Sequence, residues 1–295
     1  MQDSQGTDHT EQKKSDLDPE SFTWLKVLSY KENLKALEST RFRQPASDQH
    51  QYLDIGCGPG NFLMEHLLPR LRPYRRFVGT DISRDMIEYA RTRYGTQDVS
   101  FELLDIDHGN PQAIVDKYGP FERAYSFLTF HYVWDLDRAY RNIHRLLGDG
   151  GECLVVYFTR TGITDVWHRL YQDEEWRRYM PNLAEMFAER YCMDEPVPEK
   201  ELVARERSAV AAAGLDMVAC RTYSSIWTFP SVDACLKTYV PFFKLDAKVP
   251  AQRRGAFWED WRRALREGST TTASGGIALT YEIILAHSRK PGAAA

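Results

Sequence analysis

The chain has 295 residues, with 38 basic and 42 acidic side chains and a formal net charge of −4, and 43% of its residues are hydrophobic. This composition is that of an ordinary globular protein, and it excludes a disordered, collagen-like or coiled-coil chain. A nearly neutral chain offers no strongly basic surface for a phosphate backbone, so no nucleic-acid partner is expected.

Cysteine usage and apolar runs indicate the compartment. The five cysteines form no Cys-x-x-Cys pair and are odd in number, which predicts neither a zinc site nor a disulfide framework and favours a reducing compartment. No run of eighteen apolar residues is present, so no membrane span is expected. The first twenty residues contain no apolar signal-peptide core. We therefore expect a cytoplasmic protein without a bound metal.

The predicted elements begin after a polar tail. Residues 1–18 are rich in Gln, Asp, Ser and Thr and are expected to be disordered, whereas residues 20–39 are expected to be helical. From residue 51 to 158, strands and helices alternate in five βα units, which is typical of a parallel, doubly wound sheet. The expected strands are 51–55, 77–82, 99–104, 121–127 and 151–158, and the expected helices are 61–71, 83–94, 111–118 and 135–147.

The alternation breaks after residue 158. Residues 159–270 are expected to form a helical cap and substrate region that contains one strand, at 217–227, and a last strand is expected at 276–287. The prediction is thus a single domain over residues 19–290, with the cofactor-binding core at 51–158.

A glycine-rich turn follows the first strand. After Asp54 and Ile55 the chain reads Gly56-Cys57-Gly58-Pro59-Gly60 and then enters a predicted helix. Glycine allows the backbone to turn tightly beneath a ligand, and the helix N-terminus offers backbone N–H groups. A dinucleotide-binding turn would read G-x-G-x-x-G, whereas the spacing here is G-x-G-x-G. Taken alone, this pattern is also compatible with an ordinary tight turn.

Acidic side chains stand at the ends of the next two strands. Asp81 ends the second strand, where a carboxylate can accept two hydrogen bonds from a ribose diol. Asp105 ends the third, and its carboxylate can accept an adenine N–H while the Ile106 N–H reaches a ring nitrogen. Either acid alone could be a helix cap or a solvated loop residue. Polar groups at three consecutive strand ends favour a nucleoside in one crevice.

These residues, together with Gly148–Gly151, resemble the class I S-adenosylmethionine-dependent methyltransferases over about residues 51–158. The resemblance implies a Rossmann-like, seven-stranded, doubly wound sheet of order 3-2-1-4-5-7-6 with an antiparallel last strand. It also implies S-adenosylmethionine as the methyl donor and S-adenosylhomocysteine as the product. The residues that would hold the cofactor are Asp54, Gly56, Cys57, Gly58, Asp81, Ile82, Asp105, Ile106 and Phe127.

Segments 126–133, 137–143 and 146–154 are similar to the juvenile hormone acid O-methyltransferases, which methylate the carboxylate of farnesoic acid or juvenile hormone acid. This similarity implies substrate contacts at Tyr30 and Asn33 and places His131 and Tyr132 beside the acceptor as catalytic residues. Two positions depart from the family. Phe130-His131-Tyr132 replaces Leu-His-Trp, and Ala36 or Leu37 stands where a Gln contacts the substrate carboxylate.

The expected activity is an O-methyltransferase that esterifies a small apolar acid of the farnesoid type. The aromatic segment 160–261, in which Trp167 is a predicted substrate contact, would suit a long apolar substrate. A carboxylic acid with a pKa of about 4–5 is ionised at pH 7 and requires no general base. Two alternatives stay open, namely a methyltransferase for a phenol, amine or dicarboxylic acid, and a non-catalytic lipid-binding protein. A homodimer is also compatible with the sequence.

Overall fold

The computed structural model describes residues 19–20, 26–188, 191, 196–243 and 245–292, so the tail predicted over residues 1–18 lies outside the described residues. The chain divides into two compact units. The first comprises Met1–Tyr157, Pro198–Arg221 and Ile284–Ala295, and the second comprises Phe158–Val197 and Thr222–Ile283. That residues 19–290 act as one domain stays a prediction.

The strands form a sheet of order β3-β2-β1-β4-β5-β8-β6, in which β7 pairs with β8. This is the predicted Rossmann-like order. The two-residue strand β7 precedes the last strand in the chain, so the strand that was expected as the seventh is numbered β8. The strands are β1 Gln51–Ile55, β2 Arg76–Asp81, β3 Val99–Leu103, β4 Phe121–Phe127, β5 Leu147–Thr161, β6 Asp216–Phe229, β7 Thr270–Thr271 and β8 Ile277–Arg289.

Helices connect the strands. Those of the first unit are α1 Lys26–Ser39, α2 Leu68–Arg70, α3 Arg84–Tyr94, α4 Pro111–Tyr118, α5 Leu136–Leu146 and α9 Glu199–Ala212. Those of the second unit are α6 Gly162–Tyr171, α7 Glu174–Arg177, α8 Leu183–Met186, α10 Val232–Phe243, α11 Leu245–Lys248 and α12 Arg254–Gly268. Within the part of the chain that the structure describes, no helix has both the length and the apolar character needed to cross a bilayer.

The five strands β1 to β5 pair in parallel, and this arrangement positions the site. In the register, Leu53 of β1 lies opposite Val78 of β2 and Ala124 of β4. All five residues of β1 are buried, as expected for a parallel strand that is covered on both faces. The carboxyl ends of these strands therefore meet at one edge of the sheet, where the glycine-rich turn, Asp81 and Asp105 follow.

Two local features explain where elements begin. The Ser83 hydroxyl accepts a hydrogen bond from the Met86 N–H at 3.4 Å and caps α3. Strand β5 begins at Leu147 rather than at residue 151, because Leu147 already pairs with Phe121 ahead of an irregularity in the register. Gly150 has a φ of 75°, which glycine adopts without strain, and it lies within this irregular stretch.

The helices of the second unit bury a cluster of aromatic side chains. The Trp167 ring meets the Trp261 ring edge-on at 5.7 Å, and Trp176 meets Phe257 in the same way at 5.2 Å. The Trp167 indole N–H donates to the Pro181 carbonyl at 3.1 Å, and its side chain is 1% exposed. Trp167 therefore packs in the core of this unit, and its predicted contact with substrate stays a prediction.

Candidate active site

Backbone N–H groups of the glycine-rich turn donate hydrogen bonds to the neighbouring strand, β2. The N–H groups of Gly56 and Cys57 donate to the Thr80 carbonyl at 2.7 and 2.9 Å. The Gly58 N–H donates to Asp81 Oδ2 at 2.9 Å. Burial raises the pKa of the Cys57 thiol, so this side chain stays neutral and serves the turn through its backbone. The turn is thus fixed against β2 by three N–H groups.

Glycine is required at two positions of this turn for different reasons. Gly56 has a φ of 73°, and a Cβ placed there would lie 2.1 Å from the Thr129 hydroxyl oxygen. Gly58 has a φ of 54°, but a Cβ there would have no atom within 4 Å. The first glycine admits the Thr129 side chain, whereas the second leaves open space above the turn. This open space suits a ligand that lies directly on the backbone.

Asp81 connects the turn to the start of α3. Its Oδ1 accepts a hydrogen bond from the Ser83 N–H at 2.8 Å, while its Oδ2 accepts the Gly58 N–H. Removal from water raises the pKa of this carboxyl, and the hydrogen bonds from Ser83, Gly58 and the adjacent Ile82 oppose that rise. Each carboxylate oxygen keeps a second lone pair, so the group can still accept hydrogen bonds from a diol. Ile82 is partly exposed beside it.

Asp54 lies beneath the turn and is 3% exposed. Removal from water, followed by the nearby charge of Asp81, raises the pKa of the Asp54 carboxyl from 3.8 to about 8. The Asp54 backbone carbonyl also accepts a hydrogen bond from the Thr80 hydroxyl at 3.3 Å. A buried acid with such a pKa carries a proton at neutral pH, and a cationic ligand nearby would favour its ionised form.

The turn after β3 contains the predicted adenine contacts. Asp105 is partly exposed, and its Oδ1 accepts hydrogen bonds from the N–H groups of Asp107 and His108 at 3.2 and 3.3 Å. Ile106 is 5% exposed, and its carbonyl accepts a hydrogen bond from the Asn142 amide at 2.8 Å. This turn is therefore anchored both by its own acid and by α5, with the Asp105 carboxylate at its surface.

Asp107 is a residue that the sequence analysis did not single out. It is 1% exposed, and its Oδ2 accepts hydrogen bonds from the Trp134 and Asp135 N–H groups at 2.8 and 3.3 Å. Asp107, Asp105 and His108 have ligand atoms within 4.8 Å of one another. Because these carboxylates already accept backbone N–H groups, the cluster is explained without an ion. The expectation of no metal stays a prediction.

The end of β4 is strained and bends toward the glycine-rich turn. Leu128 is not a glycine but has a φ of 53°, a conformation that costs about 1–2 kcal/mol and that clusters at functional sites. The following residue, Thr129, donates its hydroxyl to the Gly56 carbonyl at 3.2 Å. Phe127, the last residue of the strand, is 8% exposed. This bend brings the end of β4 against the turn after β1.

The two predicted catalytic residues, His131 and Tyr132, lie within a 3-10 turn, Phe130–Tyr132. His131 is 5% exposed, whereas Tyr132 is partly exposed. Their ring centroids are 4.4 Å apart. The structure therefore places an imidazole and a phenol, each of which carries a hydrogen-bond donor, side by side shortly after the end of β4.

The predicted contacts on α1 reach the same edge through aromatic rings. The Tyr30 ring lies 5.0 Å from that of Phe62, which lies 5.0 Å from that of Phe127. Tyr30 also meets His66 edge-on at 4.9 Å. Burial raises the pKa of Tyr30, and smaller contributions in the same direction come from the charges of Glu65, Tyr94 and Asp54. The phenol therefore stays neutral. Asn33 is 3% exposed, and its Oδ1 has no hydrogen-bond partner in the described structure.

A π-helical turn, Leu63–Leu67, interrupts the helix that follows the glycine-rich turn. Such turns are rare and are frequent at functional sites. The His66 ring in this turn contacts the Tyr30 ring, and no local pattern in the sequence predicts that contact. Thr129 could have been found, because a hydroxyl two residues before His131, the predicted catalytic residue, is visible in the sequence, although its partner Gly56 is 73 positions away.

The sequence is similar to those of known methyltransferases. A family model described as a methyltransferase domain matches residues 46–206. Juvenile hormone acid O-methyltransferase of Bombyx mori is 30% identical over 247 residues, which cover 81% of this chain and 84% of that protein. The protein of the same name in Drosophila melanogaster is 34% identical over 133 residues, 44% of each chain.

A solved structure supports the fold. The YcgJ protein from Bacillus subtilis superposes with a TM-score of 0.52 and 16% identity, covering 88% of this chain and 97% of that chain. The glycine-rich turn, with its open space above Gly58 and the acid at the end of β2, fits the cofactor of this fold. By the family match and the extent of these similarities, the chain belongs to the class I S-adenosylmethionine-dependent methyltransferases.

Proposed function

We propose that this protein is a carboxyl O-methyltransferase that esterifies a small apolar acid of the farnesoid or juvenile hormone acid type. The observation that carries the proposal is the 30% identity to the Bombyx mori juvenile hormone acid O-methyltransferase over 81% of the chain. The position of His131 and Tyr132 beside the strained end of β4 supports it from the structure.

The donor would be held by the strand ends of the first unit. When bound, S-adenosylmethionine supplies a methyl group on a positively charged sulfur. Gly58 leaves the open space in which a ligand can lie against the backbone. Asp81 would accept hydrogen bonds from the ribose hydroxyls, and the Asp105 carboxylate would accept the adenine amino group. Cys57 and Ile82 border this region through their backbones, and Ile106 offers its N–H.

The acceptor would lie against His131 and Tyr132. Because a carboxylic acid is ionised at pH 7, the chain has to orient and desolvate the carboxylate rather than remove a proton. An imidazole N–H and a phenolic O–H can each donate to a carboxylate oxygen. One preorganised donor of this kind accounts for about a 100-fold to 1,000-fold effect on turnover in other enzymes. His131 and Tyr132 would thus orient the acceptor oxygen.

Aromatic side chains favour an apolar acceptor. Phe127, Phe62 and Tyr30 form a continuous set of ring contacts from the end of β4 to α1. Such a set excludes water and offers apolar surface near the proposed acceptor position. Ala36, on the same helix as Tyr30, is 1% exposed and has no polar side-chain atom. Recognition of the carboxylate would therefore depend on His131 and Tyr132, with the Asn33 amide as a further candidate on α1.

The proposal is tested by methyl transfer from S-[methyl-³H]adenosylmethionine with purified full-length protein. Farnesoic acid and a juvenile hormone acid are compared with farnesol, which has the same apolar chain without a carboxylate, and with a simple phenol and an amine. We expect labelled ester from the acids alone. Transfer only to the phenol or the amine would contradict carboxyl methylation. Binding of the donor with no transfer to any acceptor would favour a binding protein.

A further inference from the structure

Two large apolar side chains are exposed where β3 and β4 end. Leu103, the last residue of β3, is 42% exposed, and Trp134, two residues after the 3-10 turn, is 41% exposed. Tryptophan carries a large apolar surface and is enriched at interfaces. Both residues belong to the first unit, which also contains the residues proposed to hold the nucleoside.

The backbone of Trp134 is fixed to the turn that contains the adenine contacts. Its N–H donates to the buried carboxylate of Asp107 at 2.8 Å, and the next N–H, of Asp135, reaches the same oxygen at 3.3 Å. Asp107 is also the residue whose own N–H donates to Asp105. A single buried carboxylate thus ties the loop of Trp134 to the turn of Asp105 and Ile106.

Leu103 lies on β3, the strand that pairs with the strand of Asp81. In the register of the sheet, Leu103 lies directly opposite Asp81. Residues that pair in neighbouring strands project to the same face of a sheet, so the Leu103 side chain lies beside the carboxylate proposed for the ribose. An exposed apolar side chain therefore lies beside Asp81, and the backbone of a second exposed apolar residue, Trp134, is fixed to the turn that contains Asp105.

We propose that Trp134 is an adenine-contacting residue, whose indole packs against the purine ring while Leu103 supplies apolar contact beside the ribose. The inference rests on the proposed donor site. The arrangement suits a flat, uncharged heteroaromatic ring, because Asp105 and the Ile106 N–H offer polar contacts to the ring edge and the indole offers a face. The Asp107 carboxylate positions the tryptophan and does not itself contact the ligand.

The first test measures binding of S-adenosylhomocysteine by titration calorimetry. Stacking of a base on an aromatic ring contributes measurably to the binding free energy. We therefore expect Trp134→Ala to weaken binding about tenfold, equivalent to about 1.4 kcal/mol. Trp134→Phe keeps a ring and should stay within about threefold of the wild type. Val218→Ala is the matched control, because Val218 is 49% exposed and lies in the first unit on β6, at the opposite edge of the sheet from β3, so this substitution should not change the affinity.

The second test measures how much the ligand quenches tryptophan emission. If Trp134 had a purely structural role, its replacement would not change this quenching. We expect S-adenosylhomocysteine to quench emission in the wild type and in Trp258→Phe, but to lose most of this effect in Trp134→Phe. Methionine alone, which lacks the purine, should give no quenching. Unchanged affinity in Trp134→Ala, or full quenching in Trp134→Phe, would overturn the adenine contact alone. A wild-type protein that does not bind S-adenosylhomocysteine would overturn the donor site as well.

Discussion

Replacement of Asp54 by Asn is expected to stabilise the protein increasingly as the pH rises. The Asp54 carboxyl has a folded-state pKa of about 8 against an ordinary value of 3.8, because it is removed from water and lies near Asp81. Between these two values the folded protein holds a proton that the unfolded chain has released. The free energy of unfolding therefore falls with rising pH, by at most about 1.4 kcal/mol per pH unit.

The size of this change in the free energy of unfolding follows from the pH range between the two pKa values. From pH 5 to pH 7.5 the loss amounts to about 3 kcal/mol, because the slope flattens as the pH approaches the folded-state pKa. An asparagine does not titrate, so the advantage of Asp54→Asn over the wild type should grow by about the same amount across this range. Comparing the variant with the wild type at each pH cancels the titration of acids that do not interact with Asp54, and Asp81 is the neighbour whose own titration the substitution also changes.

The assay is urea unfolding of both proteins at pH 5, 6, 7 and 7.5, with the exposed Asp98→Asn as the matched control. We expect the control to differ from the wild type by a nearly constant amount at every pH. A constant difference for Asp54→Asn as well would refute the reasoning, because it would mean that Asp54 is ionised in the folded protein. A difference that shrinks with rising pH would refute it even more directly.

Three further changes test other parts of the site. Asp81→Asn should weaken binding of S-adenosylhomocysteine about tenfold or more in calorimetry, since hydrogen bonds to a charged group are worth about 1.5–3 kcal/mol, and equal affinity would exclude the ribose contact. His131→Ala should lower kcat about 100-fold while donor affinity changes less than about twofold, and wild-type turnover would remove His131 from the site. Gly56→Ala should lower the free energy of unfolding by about 2 kcal/mol or more in urea, because its Cβ would overlap Thr129, and an unchanged midpoint would contradict this packing.

The parallel sheet could be predicted from the sequence because each strand is a short apolar run followed by a helix, whereas the order of its strands was implied by the family resemblance. The predicted strand 121–127 matches β4, and the predicted strand 77–82 differs from β2 by one residue at each end. The start of β5 could not be predicted, because the pairing of Leu147 with Phe121 precedes an irregularity that only the neighbouring strand reveals. Local pattern therefore determines which strands exist, while their ends depend on pairing.

The candidate site shows the same division. Gly58 and Asp81 could be predicted because Gly58 lies in the turn just after β1 and Asp81 is the last residue of β2, and the structure joins them by a hydrogen bond of 2.9 Å. Asp107 could not be predicted, because its role depends on the Trp134 N–H, 27 positions further along the chain. The π-helical turn Leu63–Leu67 has no recognisable local signature either. Contacts between distant segments are set by tertiary packing, which the sequence pattern does not encode directly.

A crystal structure of the protein with S-adenosylhomocysteine would test the central claim, that the strand ends of the first unit hold the nucleoside of the methyl donor. We expect the ribose hydroxyls at about 2.7 Å from the Asp81 carboxylate, the typical length of such a hydrogen bond, and the adenine beside Asp105. Density for the ligand elsewhere, or none above Gly58 at saturating ligand, would contradict the account.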